Sequence, residues 1–156
     1  MISIILPTYN SIEFLKERVD TILNQTIAGW ECIVIDGEST DGTWEYLSDI
    51  ASKDSRFKMF QSTPMGVYNA WNIGIKKSKG DYIYFATSDD TMTSNCLEEL
   101  LNGFRLAPSC SIVHCCLKII DKNSERIKDL DWRSFPAQNY FADLTNKYHI
   151  SLIYYS

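Results

Sequence analysis

No apolar run in this 156-residue sequence approaches the roughly 20 residues needed to cross a bilayer. No apolar segment with a cleavage site precedes the first β-rich stretch, so no secretory signal is expected. Clustered positive charge is scarce as well. The longest basic group is Lys76-Lys77 with Lys79 close by, and the net charge is −5, which argues against a nucleic-acid partner held through its phosphates. The five cysteines, Cys32, Cys96, Cys110, Cys115 and Cys116, are odd in number and lack metal-ligand spacing. They read as reduced thiols filling a core, which places the chain in the cytoplasm; peripheral attachment at the inner face of a membrane stays open. Two common phosphate cradles are missing, since neither Gly-x-x-x-x-Gly-Lys-Ser/Thr nor Gly-x-Gly-x-x-Gly follows the first strand. Internal repeats, low-complexity segments and linkers are absent too.

What is there is an ordinary globular composition, 45% hydrophobic and 22% charged. A chain of this length forms one domain that buries roughly 70% of the surface its unfolded form exposes. Residues 1–7 read as a buried strand closed by Pro7. Asn10 is placed to cap a helix, with Glu13 in capping-box position, and Ile12, Leu15, Val19, Ile22 and Leu23 follow at helical spacing. Residues 30–35 make a second strand ending at Asp36, and a Ser/Thr/Asp-rich turn over 37–42 starts a helix running to about 52. A short strand over 57–60, a helix over 66–78, a strand over 82–86 and a helix marked by Leu97, Leu100, Leu101 and Phe104 complete the alternation. Cations followed by Gly80 end the third helix in the way a helix C-terminus favours. Residues 111–121 form a further β-rich run. The expected fold class is α/β, a mostly parallel sheet with helices on both faces, because parallel neighbours need crossover helices.

Open parallel sheets bind ligands at the C-terminal ends of their strands. That rule selects four loops: residues 8–10, 36–42, 62–66 and 87–90. Asp89 and Asp90 repel each other unless a cation neutralises them, and a hard divalent ion suits oxygen ligands and substrate phosphates. The competing reading makes one of them a cap for the next helix. Asp36 is either a turn former or an acceptor for base or ribose donors. Tyr9 either stacks on a base or packs on the sheet edge. Trp71 and Tyr68, one turn apart, read as core aromatics, and His114 and His149 as structural histidines.

Four segments in order carry a resemblance. Ile4-Ile-Leu-Pro-Thr-Tyr-Asn10, Val34-Ile-Asp-Gly-Glu-Ser-Thr-Asp-Gly-Thr43, Gly66-Val-Tyr-Asn-Ala-Trp-Asn-Ile-Gly74 and Gly80-Asp-Tyr-Ile-Tyr-Phe-Ala-Thr-Ser-Asp-Asp90 resemble the successive motifs of the inverting family 2 glycosyltransferases. The resemblance covers residues 2 to about 105. It implies a Rossmann-like fold of the GT-A type and transfer, with inversion, from a nucleoside-diphosphate sugar, a UDP-sugar by family weight. The acceptor would be a polysaccharide or glycolipid. It further implies that Pro7, Thr8, Tyr9, Asn10, Asp36, Gly66, Ser88 and Asp89 bind the donor nucleotide. In family terms Thr8 and Tyr9 line the nucleoside pocket and Asp36 contacts the base. Asp89, with Asp90 beside it, would ligate Mg²⁺ or Mn²⁺.

Thr87 stands where the family's first metal-site acid falls, Glu38 where it has Gly, Pro64 where Asp is frequent, and Trp71 where Arg is frequent. Residues 1–107 would form the nucleotide-sugar-binding core and 108–156 the start of an acceptor-side region. The family's catalytic base would fall beyond Ser156; Asp143 is acidic and late in the chain but does not match its position. Two other readings stay open. One is a nucleotide- and metal-binding module that transfers nothing. The other is a nucleotidyltransferase, which would want a Gly-rich loop with Lys or Arg after the first strand.

Overall fold

The computed structural model describes residues 1–115. Its elements alternate: β1 (Ile2–Thr8), α1 (Ile12–Leu23), β2 (Trp30–Asp36), α2 (Thr43–Lys53), β3 (Phe57–Gln61), α3 (Val67–Lys77), β4 (Tyr82–Phe85) and α4 (Cys96–Leu106). The strands form one parallel sheet in the order β3-β2-β1-β4. The chain divides into two compact units, Met1–Leu97 and Glu98–Ser156. No helix among the described residues is long and apolar enough to cross a membrane.

The two central strands carry the core. Ile4, Ile5 and Leu6 of β1 and Cys32, Ile33, Val34 and Ile35 of β2 are buried on both faces of the sheet, as parallel strands covered by crossover helices must be. Successive side chains point to opposite faces. Tyr84 is paired with Ile4 and lies 5.7 Å from the guanidinium of Arg18 in α1; Phe85 is paired with Ile5 and lies 5.1 Å from Trp71 in α3. Helices α1 and α3 therefore cover opposite faces, as the alternation requires. Contact on the α3 side depends on Gly74, where an added Cβ would fall on Cγ2 of Ile5. Gly74→Ala would cost about 1–3 kcal/mol through overpacking.

Pro7 does not close β1, which runs on through Thr8 in register with Asp36. The carbonyl of Ile5 faces β4 and accepts from Ala86 N–H, while that of Thr8 faces β2 and accepts from Gly37 N–H. By alternation the Pro7 nitrogen faces the β4 side, where pairing has already ended at Ile5. Its missing donor falls where the next bond to β4, to the Ala86 carbonyl, would form, so the β1–β4 ladder stops there while the β1–β2 ladder runs on. Residues 111–115, the described part of the β-rich run over 111–121, form no strand. Residues 116–156, including Cys116, Asp143 and His149, lie outside the described set.

From β1 the chain passes outward through β2 to β3, and α3 then returns it across the sheet to β4 on the other side of β1. The chain leaves β1 toward β2 and reaches the far side of β1 only with β4. The crevice at the C-terminal ends of β1 and β4 is where such sheets accept ligands.

Candidate functional site

The loops after β1 and β2 are laced into one body. Asn10 N–H donates to Ser39 Oγ (2.9 Å), and Thr40 N–H donates back to Asn10 Oδ1 (2.9 Å). Ser11 N–H donates to Thr43 Oγ1 (2.9 Å) and Gly37 N–H to the Thr8 carbonyl (2.8 Å). Asn10 reaches this position with a left-handed φ of 47°, which Asn tolerates better than most residues.

Asn10 is thus a cross-brace and not the expected helix cap. Ser11 occupies the N-cap of α1 without a side-chain capping bond. Asp41, from the other loop, supplies the missing acceptor. Its Oδ2 takes Ile12 N–H (3.1 Å) at the start of α1, and its Oδ1 takes Thr43 N–H (3.0 Å) at the start of α2. One carboxylate serves two positive helix ends. Desolvation pushes its pKa up, but the N–H groups of Ile12 and Thr43 and the Thr43 hydroxyl together hold it below the ordinary 3.8.

Beneath this lacing lies Asp36, fully buried. Its Oδ1 accepts from Thr8 Oγ1 (2.9 Å) and Ser39 Oγ (2.6 Å), and its Oδ2 accepts from Ser39 N–H (2.9 Å). A direct contact between this carboxylate and a base is therefore closed off, and the observed role of Asp36 is to hold Thr8 and Ser39 in place. Tyr9 is 58% exposed, so it does not pack away on the sheet edge. A Cβ at Gly37 would lie 3.2 Å from the Tyr9 ring; the backbone there supports one side of the ring and leaves the rest open. Pro7 and Thr8 bring the chain to this point from β1. Sequence reasoning missed Ser39, Asp41 and Thr43 as the braces; the Ser/Thr/Asp density of 37–43 was the available signal.

On the third loop, Gly66 takes a φ of 86° and its carbonyl accepts from Ala70 N–H at the start of α3. Tyr68 is 76% exposed and so is not a core aromatic. Trp71 is half-buried, packed edge-on to Tyr68 and tilted against Phe85, and its indole N–H points to the Ala86 carbonyl at 3.4 Å.

The loop after β4 is built more simply. Thr87 Oγ1 donates to Asp90 Oδ2 (2.7 Å) and accepts from Asp90 N–H (3.3 Å). Ser88 is half-buried, and Asp89 and Asp90 are exposed. Neither acid caps α4, which starts six residues later at Cys96. Among the described residues no group of three His, Cys, Asp or Glu assembles for a metal. Asp89 and Asp90 are adjacent carboxylates, and Asp89 makes no hydrogen bond among the described residues; such a hard oxygen pair is of the kind that suits Mg²⁺ or Mn²⁺. Strands β2 and β4 flank β1, so the Asp36 and Asp89 loops leave the sheet about 10 Å apart at the usual strand spacing.

The thiols take no part in the site. Cys32 and Cys96 are buried, Cys110 and Cys115 half-buried, and all four are free. Burial pushes the Cys32 thiol up to about 12, against a smaller opposing pull from Arg18. His114 is half-buried with Nδ1 3.4 Å from the Cys115 carbonyl.

The family model described as Glycosyl transferase family 2 matches residues 3–154. The chain belongs to glycosyl transferase family 2. An uncharacterized glycosyltransferase of Haemophilus influenzae is 39% identical over 129 residues, covering 82% of this chain and 51% of that protein. An Escherichia coli relative, the UDP-Glc:alpha-D-GlcNAc-diphosphoundecaprenol beta-1,3-glucosyltransferase WfgD, is 32% identical over 125 residues, covering 80% and 48%. The chain spans about half the length of these two relatives. In three dimensions this glycosyltransferase domain is similar to Staphylococcus aureus TarS in complex with UDP-GlcNAc, at TM-score 0.71 and 23% identity over 78% of this chain and 35% of that one. It is also similar to the mannosyltransferase PcManGT of Pyrobaculum calidifontis in complex with GDP-Man and Mn²⁺, at TM-score 0.69 and 22% identity over 76% and 35%. These two likenesses establish the GT-A fold.

Proposed function

We propose that this domain binds a nucleoside-diphosphate sugar at the β1–β4 crevice and serves an inverting, metal-assisted glycosyl transfer to a saccharide or glycolipid acceptor. The observation that carries the reading is the pairing of a braced Tyr9 pocket on one side of β1 with an exposed Asp89-Asp90 pair on the other. A nucleoside stacks on Tyr9, with Pro7, Thr8 and Asn10 shaping the floor and Asp36 fixing Thr8 from below. The diphosphate extends toward Gly66, Ser88 and Asp89. A divalent ion held by Asp89 and Asp90 would neutralise charge on the leaving diphosphate. UDP is the first nucleotide to test, since the WfgD name specifies a UDP-Glc donor and TarS holds UDP-GlcNAc; GDP is the second, from PcManGT. The WfgD name, with its diphosphoundecaprenol acceptor, also supports a lipid-linked acceptor. A non-transferring nucleotide module keeps the same binding site and differs only in the absence of turnover.

The test is calorimetry of residues 1–156 with UDP and GDP, with and without Mn²⁺ or Mg²⁺. Binding should tighten with the ion, and Asp89→Ala should remove that dependence. Equal metal enhancement in the variant would remove Asp89 from the metal site. Failure of the unaltered chain to bind either nucleotide would overturn the reading.

A further inference from the structure

The loop that carries Asp89 and Asp90 is tied down on both sides. Before it, Ala86 N–H donates to the Ile5 carbonyl of β1 (2.9 Å). After it, residues 93–97 are gripped from the end of α1, largely through one side chain. Gln25 is buried, and its Nε2 donates to the carbonyls of Thr21 (2.9 Å) and Thr93 (2.8 Å). Its Oε1 accepts from Leu97 N–H (3.0 Å). Two carbonyls and one N–H admit a single orientation of the amide, so the side chain is locked. Beside it, Thr26 N–H donates to the Ser94 carbonyl (2.8 Å). Between the two ties, the hydrogen bonds within residues 87–92 join Thr87 to Asp90.

Resting on the function proposed above, we propose that Gln25 is a positioning residue for the Asp89-Asp90 pair. Its hydrogen bonds are spent inside the protein, so it acts through the loop and not on the ligand. Adjacent carboxylates repel each other and spread apart when no cation sits between them. A short loop held at both ends limits that freedom, so less order has to be imposed when the ion arrives. Without the Thr93 tie, the Thr26–Ser94 bond still holds that side. The effect is therefore a weakening of metal-assisted binding and not its loss.

Calorimetry on the full chain with UDP and GDP, with and without Mn²⁺, tests this with Gln25→Leu and Gln25→Glu. Gln25→Leu removes all three bonds, whereas Gln25→Glu keeps an acceptor for Leu97 N–H and gives up the donors to Thr21 and Thr93. Each should reduce the Mn²⁺ enhancement of nucleotide affinity about threefold to tenfold, with metal-free affinity unchanged. The decisive arm repeats Gln25→Leu in an Asp89→Ala background. A residue acting through the Asp89 loop has no further effect on nucleotide affinity there, whereas general loosening of the fold adds its own loss. If Gln25→Leu does not fold, Gln25→Glu takes its place in that arm. Undiminished Mn²⁺ enhancement in either variant would overturn the proposal while leaving the nucleotide site standing. Equal losses with and without Mn²⁺, or additive losses in the double variant, would overturn it in favour of a structural role. No nucleotide binding by the unaltered chain would instead sink the reading beneath it.

Discussion

Two acidic loops close the same end of the sheet, and they are built in opposite ways. The loop after β2 buries Asp36, uses Asp41 to join two helices, and trades backbone and side-chain hydrogen bonds with the loop after β1. The loop after β4 leaves Asp89 and Asp90 exposed and holds Asp90 through one threonine hydroxyl. Acidity alone therefore says little about role. Carboxylates that meet protein donors build the pocket wall, whereas those that meet solvent can exchange water for an ion. On the proposed function, the nucleoside half of the site is preformed and the diphosphate half is finished by ligand and metal.

The sharpest way to break that contrast is Asp36→Ala. It strips the acceptor from the Thr8 and Ser39 hydroxyls and the Ser39 N–H together, so urea unfolding should show a loss of about 3 kcal/mol. Nucleotide affinity should fall with it. Asp89→Ala should change stability by no more than about 0.5 kcal/mol while abolishing the metal dependence of nucleotide binding. If the two substitutions destabilised equally, the contrast between the loops would collapse.

Arg18 sharpens the comparison from below. It lies on α1, the helix that carries the first loop, fully buried, with Nε and Nη1 lacking hydrogen-bond partners among the described residues. Arg18→Met should raise stability by about 1–3 kcal/mol, with nucleotide binding unchanged if the loop lacing, and not the core, sets the pocket. The smallest effect concerns pH. The Asp41 pKa is lowered on folding, so its contribution is present above 3.8 and fades as pH falls through the folded value. Acid unfolding should therefore steepen below about pH 4, and Asp41→Asn should flatten that part of the curve.

Much of this was legible in the chain. The apolar runs over β1 and β2, the helical spacing from Ile12 to Leu23 and the glycines and cations closing α3 set the alternation within a residue or two. Pro7 looks like a strand end in the sequence because a proline's effect depends on which neighbour its nitrogen faces, and only the sheet order and register show that it faces β4 and leaves the β2 pairing intact. Asn10 was misread because capping rules are local, and the acceptor for α1 comes from residue 41. Tyr68 was read as core because helical spacing identifies a stripe without saying what covers it.

By itself the sequence determined the fold class, the family and the four loops, because periodicity and motif spacing are properties of the chain. Only the tertiary structure decided which acids are structural and which are open. A carboxylate's role depends on the donors that folding brings to it, and those for Asp36 and Asp41 come partly from residues about 30 positions away along the chain.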